Sequence, residues 1–376
     1  MVKEKVQKVL IDGSKIITEA CVRAGADAFV GYPITPSNLF YRYSQKRFKL
    51  FMAGPDEISV LQWMTGLSAA GKFPVTATSF PGLALMVESL NMAYMMEMPM
   101  LLVLVQRLGP STGSATTGAQ GDLKFLNGII SGGYPLPVFC PSNYEEAWVL
   151  THKAIQTARE LRTPVVLLTS KEMVMTQRSF DLSVLPDIEK VNSPVFSPKG
   201  TYKPYQADEN LVPPFIPLGD DKHQVRLNAS THDNEGLIRK GTPESLDNTK
   251  RLRQKIDNAL ADLTFYVLDE APFATDLIVT YGISSDAARD ALQELRAAGH
   301  KVSLLTVNTL LPVPGEVLQI INRYDHITFV EENLSGLYQE IIFGQLPKPG
   351  VRSVNKIGSM ICPSEIVAEV FKNHHQ

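Results

Sequence analysis

The stretch Gly31-Tyr32-Pro33-Ile34-Thr35-Pro36-Ser37, which directly follows the β-like run Ala28-Phe29-Val30, decides the fold of this chain. Proline has no backbone N–H, so Pro33 must end the strand. Thr35 is placed to cap a helix whose first residue is Pro36, because threonine is favoured at the N-cap and proline at the next position. The stretch therefore predicts a rigid turn that holds the Thr35 hydroxyl at the carboxyl edge of a sheet, where ligands bind in open α/β folds.

Length and composition are those of a globular protein with two ordinary domains. The chain has 376 residues, of which 44% are hydrophobic and 20% charged, and its formal net charge is −3. Because no long basic or acidic block occurs, we expect neither nucleic-acid nor membrane binding. Residues 1–5 alternate in charge and contain no apolar export core, and the apolar run 100–105 is too short to span a bilayer. We therefore expect a cytoplasmic protein.

The cysteines exclude two classes of site. Cys21, Cys140 and Cys362 are far apart in the sequence, and no C-x-x-C pair occurs. This pattern predicts neither a disulfide framework nor an iron–sulfur motif on this chain. The seven histidines are scattered, so we predict no metal site.

Residues 13–178 alternate between helical and strand patterns. The predicted strands are residues 28–31, 50–53, 75–78, 100–105, 136–139 and 165–169. The predicted helices are residues 14–23, 36–45, 56–70, 81–96 and an amphipathic stretch near 147–161. Short apolar strands joined by helical crossovers predict a parallel sheet with helices on both faces.

The remaining chain divides into a proline-rich segment and a second α/β unit. Between residues 185 and 246 the periodicity fades, and since a structureless loop of this length is uncommon, we expect an ordered segment that packs on another subunit. Strands at 277–281, 302–307 and 327–330 follow, with one helix capped by Ser284 or Ser285 and ended by Gly299. Further helices are predicted from Gly315, Leu334 and Pro363. The expected divisions are residues 1–184, 185–262 and 263–376.

The opening heptad resembles the α subunit of 2-oxoacid:ferredoxin oxidoreductases, the thiamine-diphosphate enzymes that oxidatively decarboxylate 2-oxoacids to acyl-CoA. The resemblance covers almost the whole chain and is closest in residues 31–122. It implies a pyrimidine-type thiamine-binding domain in residues 1–184 and a transketolase C-terminal-like α/β domain in residues 263–376. In this family the threonine of the heptad faces the substrate, which implies a catalytic and substrate-binding role for Thr35 and cofactor contacts for Pro33 and Ile34.

The resemblance also implies which residue activates the cofactor. Thiamine diphosphate needs a carboxylate that hydrogen-bonds N1′ of its aminopyrimidine ring. Asp56-Glu57-Ile58 opens a predicted helix and resembles the glutamate-bearing segment of the family, so this role falls to Glu57. We expect a neighbouring subunit to bury this carboxylate, which favours proton sharing with a nitrogen.

A second turn of the same kind reads Thr76-Ala77-Thr78-Ser79-Phe80-Pro81-Gly82. The family usually has Thr-Ser-Gly-Pro-Gly here, and the resemblance places Ser79, Phe80 and Gly82 at the cofactor. Phe80 stands where the family has glycine. This departure predicts a smaller pocket or an aromatic wall for a particular substrate, or else a side chain that faces a partner.

A buried strand that ends in Gln106-Arg107 leads into the loop Gly109-Pro110-Ser111-Thr112-Gly113. The planar guanidinium of arginine suits two-pronged recognition of a carboxylate. The family has an arginine here that binds the 2-oxoacid carboxylate, which implies this role for Arg107, with Ser111 and Thr112 also binding substrate. The family run Thr-Glu-Gln-Gly-Asp-Leu is changed at Ala119, which leaves the identity of the substrate open.

The chain lacks the Gly-Asp-Gly and paired-asparagine motif through which thiamine enzymes commonly bind the diphosphate and its metal. The resemblance therefore implies a half-site, completed by a β subunit that holds Mg²⁺ and a [4Fe–4S] cluster. It also implies coenzyme A as co-substrate, ferredoxin as electron acceptor, and separate γ and δ subunits as further candidate partners.

The arginine loop is more similar to members that act on 2-oxoglutarate and branched-chain acids than to those that act on pyruvate. We therefore expect an α subunit, active only with its β subunit, that converts 2-oxoglutarate to succinyl-CoA with electrons to ferredoxin, or catalyses the reverse carboxylation. The alternatives are the same chemistry on pyruvate, 2-oxoisovalerate or phenylglyoxylate, a non-redox two-subunit 2-oxoacid decarboxylase, and a non-catalytic scaffold subunit.

Overall fold

The alternating apolar strands and helices form two parallel-type sheets and a small antiparallel ribbon. The computed structural model describes residues 7–193 and 201–372. The elements of the first part are β1 (Lys8–Ile11), α1 (Gly13–Arg23), β2 (Ala28–Gly31), α2 (Asn38–Arg47), β3 (Leu50–Ala53), α3 (Glu57–Ala69), β4 (Pro74–Thr78), α4 (Phe80–Met95), β5 (Met100–Gln106), α5 (Leu123–Asn127), β6 (Val138–Phe139), α6 (Tyr144–Leu161), β7 (Pro164–Ser170), α7 (Lys171–Met175) and β8 (Arg178–Asp181). The elements of the second part are α8 (Pro243–Ala259), β9 (Tyr266–Asp269), β10 (Asp276–Thr280), α9 (Ser284–Ala297), β11 (Val302–Val307), β12 (Thr309–Leu311), α10 (Gly315–Ile321), β13 (His326–Glu331), α11 (Leu337–Phe343), β14 (Val351–Asn355) and α12 (Pro363–Phe371).

The first sheet has the strand order β12-β6-β7-β5-β4-β2-β3. All neighbouring strands are parallel except β12 and β6. Strands β4, β5 and β7 are buried along their whole length, because helices cover both faces of a parallel sheet. The carboxyl ends of β2, β4 and β5 lie at one edge, which brings the three turns singled out in the sequence to the same side of the molecule.

The second sheet has the order β14-β13-β10-β11-β9, in which only β9 is antiparallel to its neighbour. Strand β10 connects through α9 to β11 on one side, whereas β13 connects through α11 to β14 on the other. Two adjacent parallel strands whose connections diverge leave a crevice at their carboxyl ends. Strand β12 leaves this part of the chain and pairs with β6 of the first sheet, so the two sheets are tied together.

Alternate residues of the second sheet pack in opposite directions, as a two-residue period requires. Leu277 and Val279 of β10 join the large core that fills the first part of the chain. Ile278, between them, joins a smaller core beneath α9 and α12. One face of the second sheet therefore packs on the first domain, and the other is covered by its own helices.

Helix α6 shows the predicted amphipathic pattern. Its predicted apolar positions are all buried, namely Ala147, Leu150, Ala154, Ala158 and Leu161. With 18 residues it is the longest helix in the described part of the chain. Within residues 7–193 and 201–372, no helix combines the length and the apolar character that crossing a bilayer requires.

The proline-rich segment packs on its own chain. Arg162 donates from Nη1 to the main-chain oxygens of Pro213 and Pro214 at 3.0 and 2.9 Å, and Leu218 N donates to Ala69 O at 2.9 Å. Residues 194–200 lie outside the described residues. The expected packing on another subunit stays a prediction, as do the three domain boundaries.

Helix α8 was not predicted, because its buried face is polar. Arg251 and Lys255 are buried on it beside Leu252 and Ile256, so the apolar stripe that indicates a helix is missing. Both cations pair with the fully buried Glu97: Arg251 Nη2 lies 2.5 Å from Oε1, and Lys255 Nζ lies 2.7 Å from Oε2. A buried ion network, rather than hydrophobic periodicity, fixes this helix to the first domain.

Three predicted helix starts are wrong. Helix α2 begins at Asn38 with Ser37 at the N-cap position, so Thr35 and Pro36 belong to the preceding turn. The Ser37 hydroxyl donates to Ile34 O at 2.8 Å and so closes a turn where the helix was expected to begin.

The other two helix starts shift for local reasons. Helix α9 has Ile283 at its N-cap position, and Ser284 and Ser285 are its first two residues. Helix α11 begins at Leu337 and not at Leu334, because Asn333 Oδ1 accepts hydrogen bonds from the next main-chain N–H groups and holds them in a turn.

Candidate active site

The turns after β2 and β5 meet through one hydrogen bond. Arg107 Nη1 donates to the main-chain oxygen of Thr35 at 2.6 Å. Thr35 is half-buried, whereas Arg107 is only 7% exposed. Ser37 Oγ also donates to Ala77 O of β4 at 3.3 Å, which joins the third strand end to the same group. The parallel sheet thus brings together two predicted substrate-binding residues, through the carbonyl of the threonine.

Glu57 is buried at the first turn of α3, with 7% of its surface exposed. The preceding Asp56 caps the helix, because its Oδ1 accepts from Ser59 N at 2.7 Å. Among the described residues, the Glu57 carboxylate has no hydrogen-bond or ion-pair partner. Buried polar groups are normally hydrogen-bonded, so a carboxylate of a mostly buried residue that no described group pairs with is available to a ligand.

Gly82 forms a cradle against this carboxylate. A Cβ atom on Gly82 would lie 2.2 Å from Thr78 Oγ1 and 2.8 Å from Glu57 Oε1, so no larger residue fits without displacement. Ser79, at the N-cap position of α4, has a buried Oγ without a partner in the described part of the chain. The first turns of α3 and α4 therefore carry two polar side chains, Glu57 and Ser79, whose hydrogen-bonding capacity no described residue meets.

Phe80 follows Ser79 in the sequence and forms the aromatic wall of a cleft. Its ring packs edge-on against Phe125 with centroids 5.4 Å apart. It lines a cleft of about 520 Å³ between the first domain and the second sheet, together with Leu108, Asp122 and Leu334. Phe80 therefore lies at the wall of an apolar cleft, and its role towards a cofactor, a substrate or a partner stays a prediction.

Asp122 is a candidate site residue that sequence reasoning quoted in a motif but did not assign. It is buried, its Oδ2 has no partner among the described residues, and burial raises its pKa to about 7 although Arg107 lowers it. Burial in turn lowers the pKa of Arg107, whose Nε also has no partner in the described chain. Across the cleft, burial raises the pKa of Glu332 to about 7. The only signal in the sequence was the aspartate of the Gln120-Gly121-Asp122-Leu123 run that matches the end of the family motif.

Ser111 and Thr112 lie at the tip of an exposed loop. Leu108 pairs with Ser114 at the base of the loop, and Ser111 has a φ of 55°. Ser111 borders the cleft, whereas Thr112 does not line it.

The other predicted cofactor contacts are also outside the buried group. Pro33 is exposed and Ile34 half-buried. In this chain the structure brings Arg107 to Thr35 and Gly82 to Glu57, but it leaves Pro33, Ser111 and Thr112 at the surface. No group of three or more His, Cys, Asp or Glu side chains in residues 7–193 and 201–372 is arranged to hold a metal ion.

Comparison with known protein families shows the family to which this chain belongs. Residues 19–250 match the family described as pyruvate flavodoxin/ferredoxin oxidoreductase, thiamine diphosphate-binding, and residues 274–362 match pyruvate:ferredoxin oxidoreductase core domain II. The chain belongs to this family of thiamine-diphosphate-binding 2-oxoacid oxidoreductases. The predicted family and fold class are thereby confirmed, and so is the prediction that the chain is part of an enzyme.

Individual relatives have names that state a substrate more narrowly than the family description does. The 2-oxoglutarate synthase subunit KorA of Methanocaldococcus jannaschii is 30% identical over 337 residues, which are 88% of this chain and 90% of that protein. KorA of Methanothermobacter thermautotrophicus is 28% identical over 380 residues, 97% and 99% of the two chains. A solved 2-oxoglutarate:ferredoxin oxidoreductase from Magnetococcus marinus, with 2-oxoglutarate, coenzyme A and succinyl-CoA bound, has a TM-score of 0.90 and 26% identity over 97% of this chain and 65% of that longer chain. These likenesses agree with the main prediction, a subunit that oxidises 2-oxoglutarate.

Proposed function

We propose that this chain is the α subunit of a 2-oxoglutarate:ferredoxin oxidoreductase. The reaction takes 2-oxoglutarate, coenzyme A and two oxidised ferredoxins to succinyl-CoA, CO₂, a proton and two reduced ferredoxins, each ferredoxin accepting one electron. The observation that carries the proposal is the buried, partnerless carboxylate of Glu57 against Gly82, at the sheet edge that also holds Arg107. The similarity to KorA subunits supports the choice of substrate.

Glu57 holds the cofactor in its reactive form. Thiamine diphosphate, when bound, supplies the carbanion chemistry that amino-acid side chains cannot provide. Glu57 would hydrogen-bond N1′ of the pyrimidine and share a proton with it, and Ser79 Oγ offers a second polar contact. Gly82 lets the carboxylate pack against the first turn of α4 and so fixes its position.

Arg107 and Thr35 hold the substrate. The hydrogen bond from Nη1 to Thr35 O orients the guanidinium and leaves its other donors for the 2-oxoacid carboxylate. The Thr35 hydroxyl then orients the oxo group towards the cofactor. Ser111 and Thr112 complete the substrate side from the exposed loop, and Pro33, Ile34 and Phe80 border the cofactor once a second subunit covers this edge.

The site needs a partner chain. A [4Fe–4S] cluster takes four cysteine ligands, and this chain has three cysteines in all. A β subunit would therefore carry the cluster, the diphosphate site and Mg²⁺, and would pass electrons to ferredoxin. The γ and δ subunits, and coenzyme A as the acyl acceptor, belong to the same proposal.

The test is anaerobic dye reduction by the complex. The tagged chain is purified with its co-encoded partners, and coenzyme A-dependent reduction of a viologen dye is measured with 2-oxoglutarate, pyruvate, 2-oxoisovalerate and phenylglyoxylate. We expect reduction with 2-oxoglutarate, none by the isolated chain, and a loss of about 10²–10⁴-fold in Glu57→Gln. Glu88→Gln, which changes an exposed glutamate of α4, is the matched control and should keep full activity.

Other outcomes separate the alternatives. Aldehyde release without dye reduction would mean a non-redox decarboxylase. A complex that holds thiamine diphosphate and an intact cluster but turns over none of the four acids would mean a scaffold. Full activity of Glu57→Gln would remove Glu57 from the mechanism.

The second candidate is the same chemistry on a branched-chain or aromatic 2-oxoacid. The cleft beside Phe80 favours it, because no lysine or arginine is among the described residues that line this cleft. A γ-carboxylate would need such a cation or one from the partner. Reduction confined to 2-oxoisovalerate or phenylglyoxylate would establish this candidate and overturn the choice of 2-oxoglutarate.

A further inference from the structure

Gln120 fills the crevice at the carboxyl ends of β10 and β13. Its side chain is 1% exposed. Its Oε1 accepts from Ser284 Oγ and from Glu332 N, both at 2.7 Å, and its Nε2 donates to Tyr281 O at 2.8 Å. In an open α/β sheet this crevice is where a ligand binds. Here a side chain of the first domain occupies it in the manner of a ligand.

The main chain of Gln120 is held as firmly as its side chain. Its N donates to Glu332 O at 2.7 Å, and its O accepts from Asn333 Nδ2 at 3.2 Å. All of these bonds reach residues more than 160 positions later in the sequence. Gln120 is therefore one point at which the second domain holds the first.

These hydrogen bonds of Gln120 lie at one end of residues 107–122, which we call the substrate loop. The other end is fixed by β5, which terminates just before Arg107. Gln120 precedes Asp122 by two residues, and Asp122 N donates to Gln106 Oε1 at 3.4 Å. Gly121 lies between Gln120 and Asp122. No atom lies within 4 Å of the place where its Cβ would stand, so packing at Gly121 does not fix the backbone there.

We infer that Gln120 is a positioning residue through which the second domain holds Asp122 and Arg107 in the geometry that binds the 2-oxoacid carboxylate. The inference rests on the proposed function of Arg107. A misplacement of an active-site group by about 1 Å can cost an enzyme about 10²-fold. Release of one end of this loop would displace Arg107 and so weaken substrate binding, although Gln120 itself does not contact the substrate. The second domain would thus serve the carboxylate-binding residues through Gln120.

The test compares two variants of the whole complex. Gln120→Ala removes the side-chain bonds in the crevice, whereas Lys124→Met removes an exposed interdomain ion pair with Glu340 and leaves Gln120 in place. For Gln120→Ala we expect KM for the 2-oxoacid to rise about 10–100-fold, with a much smaller change in kcat. Lys124→Met should leave both constants unchanged. Ser284→Ala removes only the hydrogen bond from Ser284 Oγ to Gln120 Oε1 and should give a smaller rise in KM. It keeps the inference testable if Gln120→Ala does not fold.

Hydrogen–deuterium exchange supplies a readout that does not depend on activity. In Gln120→Ala the amide of Glu332, which donates to Oε1, and the peptides covering residues 107–122 should exchange faster. An unchanged KM together with unchanged exchange in residues 107–122 would overturn the inference, as would an equal rise in KM in Lys124→Met. If the wild-type complex proves inactive but exchange is still faster in Gln120→Ala than in wild type, the role of Gln120 in holding the loop is upheld and the proposed function has failed.

Discussion

Gly82 lies so close to Glu57 that a Cβ atom on the glycine would stand 2.8 Å from Oε1 of the glutamate. Helix α3 follows β3 and α4 follows β4, the two strands that flank β2, and this contact joins the first turns of the two helices. Because position 82 has no side chain, the Glu57 carboxylate can pack directly against the first turn of α4. In the proposed function this contact fixes the carboxylate where it meets the pyrimidine ring.

A matched pair of glycines tests this contact. Gly82→Ala forces the new Cβ against Thr78 Oγ1 and Glu57, so we expect a loss of about 1–3 kcal/mol in the free energy of unfolding and weaker binding of thiamine diphosphate by the complex. Gly66→Ala, in the middle of α3 with no atom within 4 Å, should stabilise the chain by about 0.5–1 kcal/mol. Urea unfolding of the isolated chain measures both. Equal stability of Gly82→Ala and wild type would contradict the tight contact.

Arg107→Met removes the proposed carboxylate anchor. A hydrogen bond to a charged group contributes about 1.5–3 kcal/mol, so kcat/KM for the 2-oxoacid should fall about 10–150-fold. Arg107→Lys keeps the charge without the planar fork and should recover only part of the loss. Steady-state dye reduction by the complex measures these effects, with Arg253→Met, at an exposed arginine of α8, as the control. A normal KM in Arg107→Met would assign the substrate carboxylate to another residue.

Asp122→Asn should change how stability depends on pH. Burial raises the pKa of Asp122 to about 7 from a model-peptide value of 3.8, so the folded protein favours the protonated form. The associated stability is complete below about pH 4 and is lost as pH rises through about 7. The free energy of unfolding of wild type should therefore fall relative to that of Asp122→Asn between pH 4 and pH 8, by on the order of 1–4 kcal/mol. Glu332 titrates in the same direction in both proteins, so the difference isolates Asp122.

Urea unfolding at pH 4, 5, 6, 7 and 8 measures this difference. Parallel stability profiles for wild type and Asp122→Asn would show that Asp122 titrates as an ordinary exposed carboxyl group does.

Glu97→Gln should destabilise the chain strongly. The carboxylate compensates two buried cations, and burial lowers the pKa of Lys255 to about 8 even beside it. Removal of one partner from a buried ion network costs about 3–5 kcal/mol. Urea unfolding measures the loss, and limited proteolysis should show earlier cleavage around α8. Glu145→Gln, at an exposed position of α6, is the control, and a comparably small effect of the two changes would contradict the role of the network.

Local patterns determined most of the fold. Apolar runs such as residues 100–105 and 165–169 are signals carried by consecutive residues, and they became the central strands β5 and β7 almost as predicted. The same holds for the amphipathic helix α6. Parallel strands align their carboxyl ends, and in the structure this alignment brings the turn that holds Thr35 to Arg107.

What the sequence by itself determined about this protein is the α/β alternation, its family, and the positions of Glu57 and Arg107 after their strands. Only the tertiary structure decided the start of α2, the helix α8 whose buried face is charged, the burial of Asp122 and the hydrogen bonds that hold Gln120. The physical reason is that each of these depends on partners far away in the chain: Arg251 and Lys255 are stable inside the protein only beside Glu97, and Gln120 acquires its role only when the crevice between β10 and β13 closes around it.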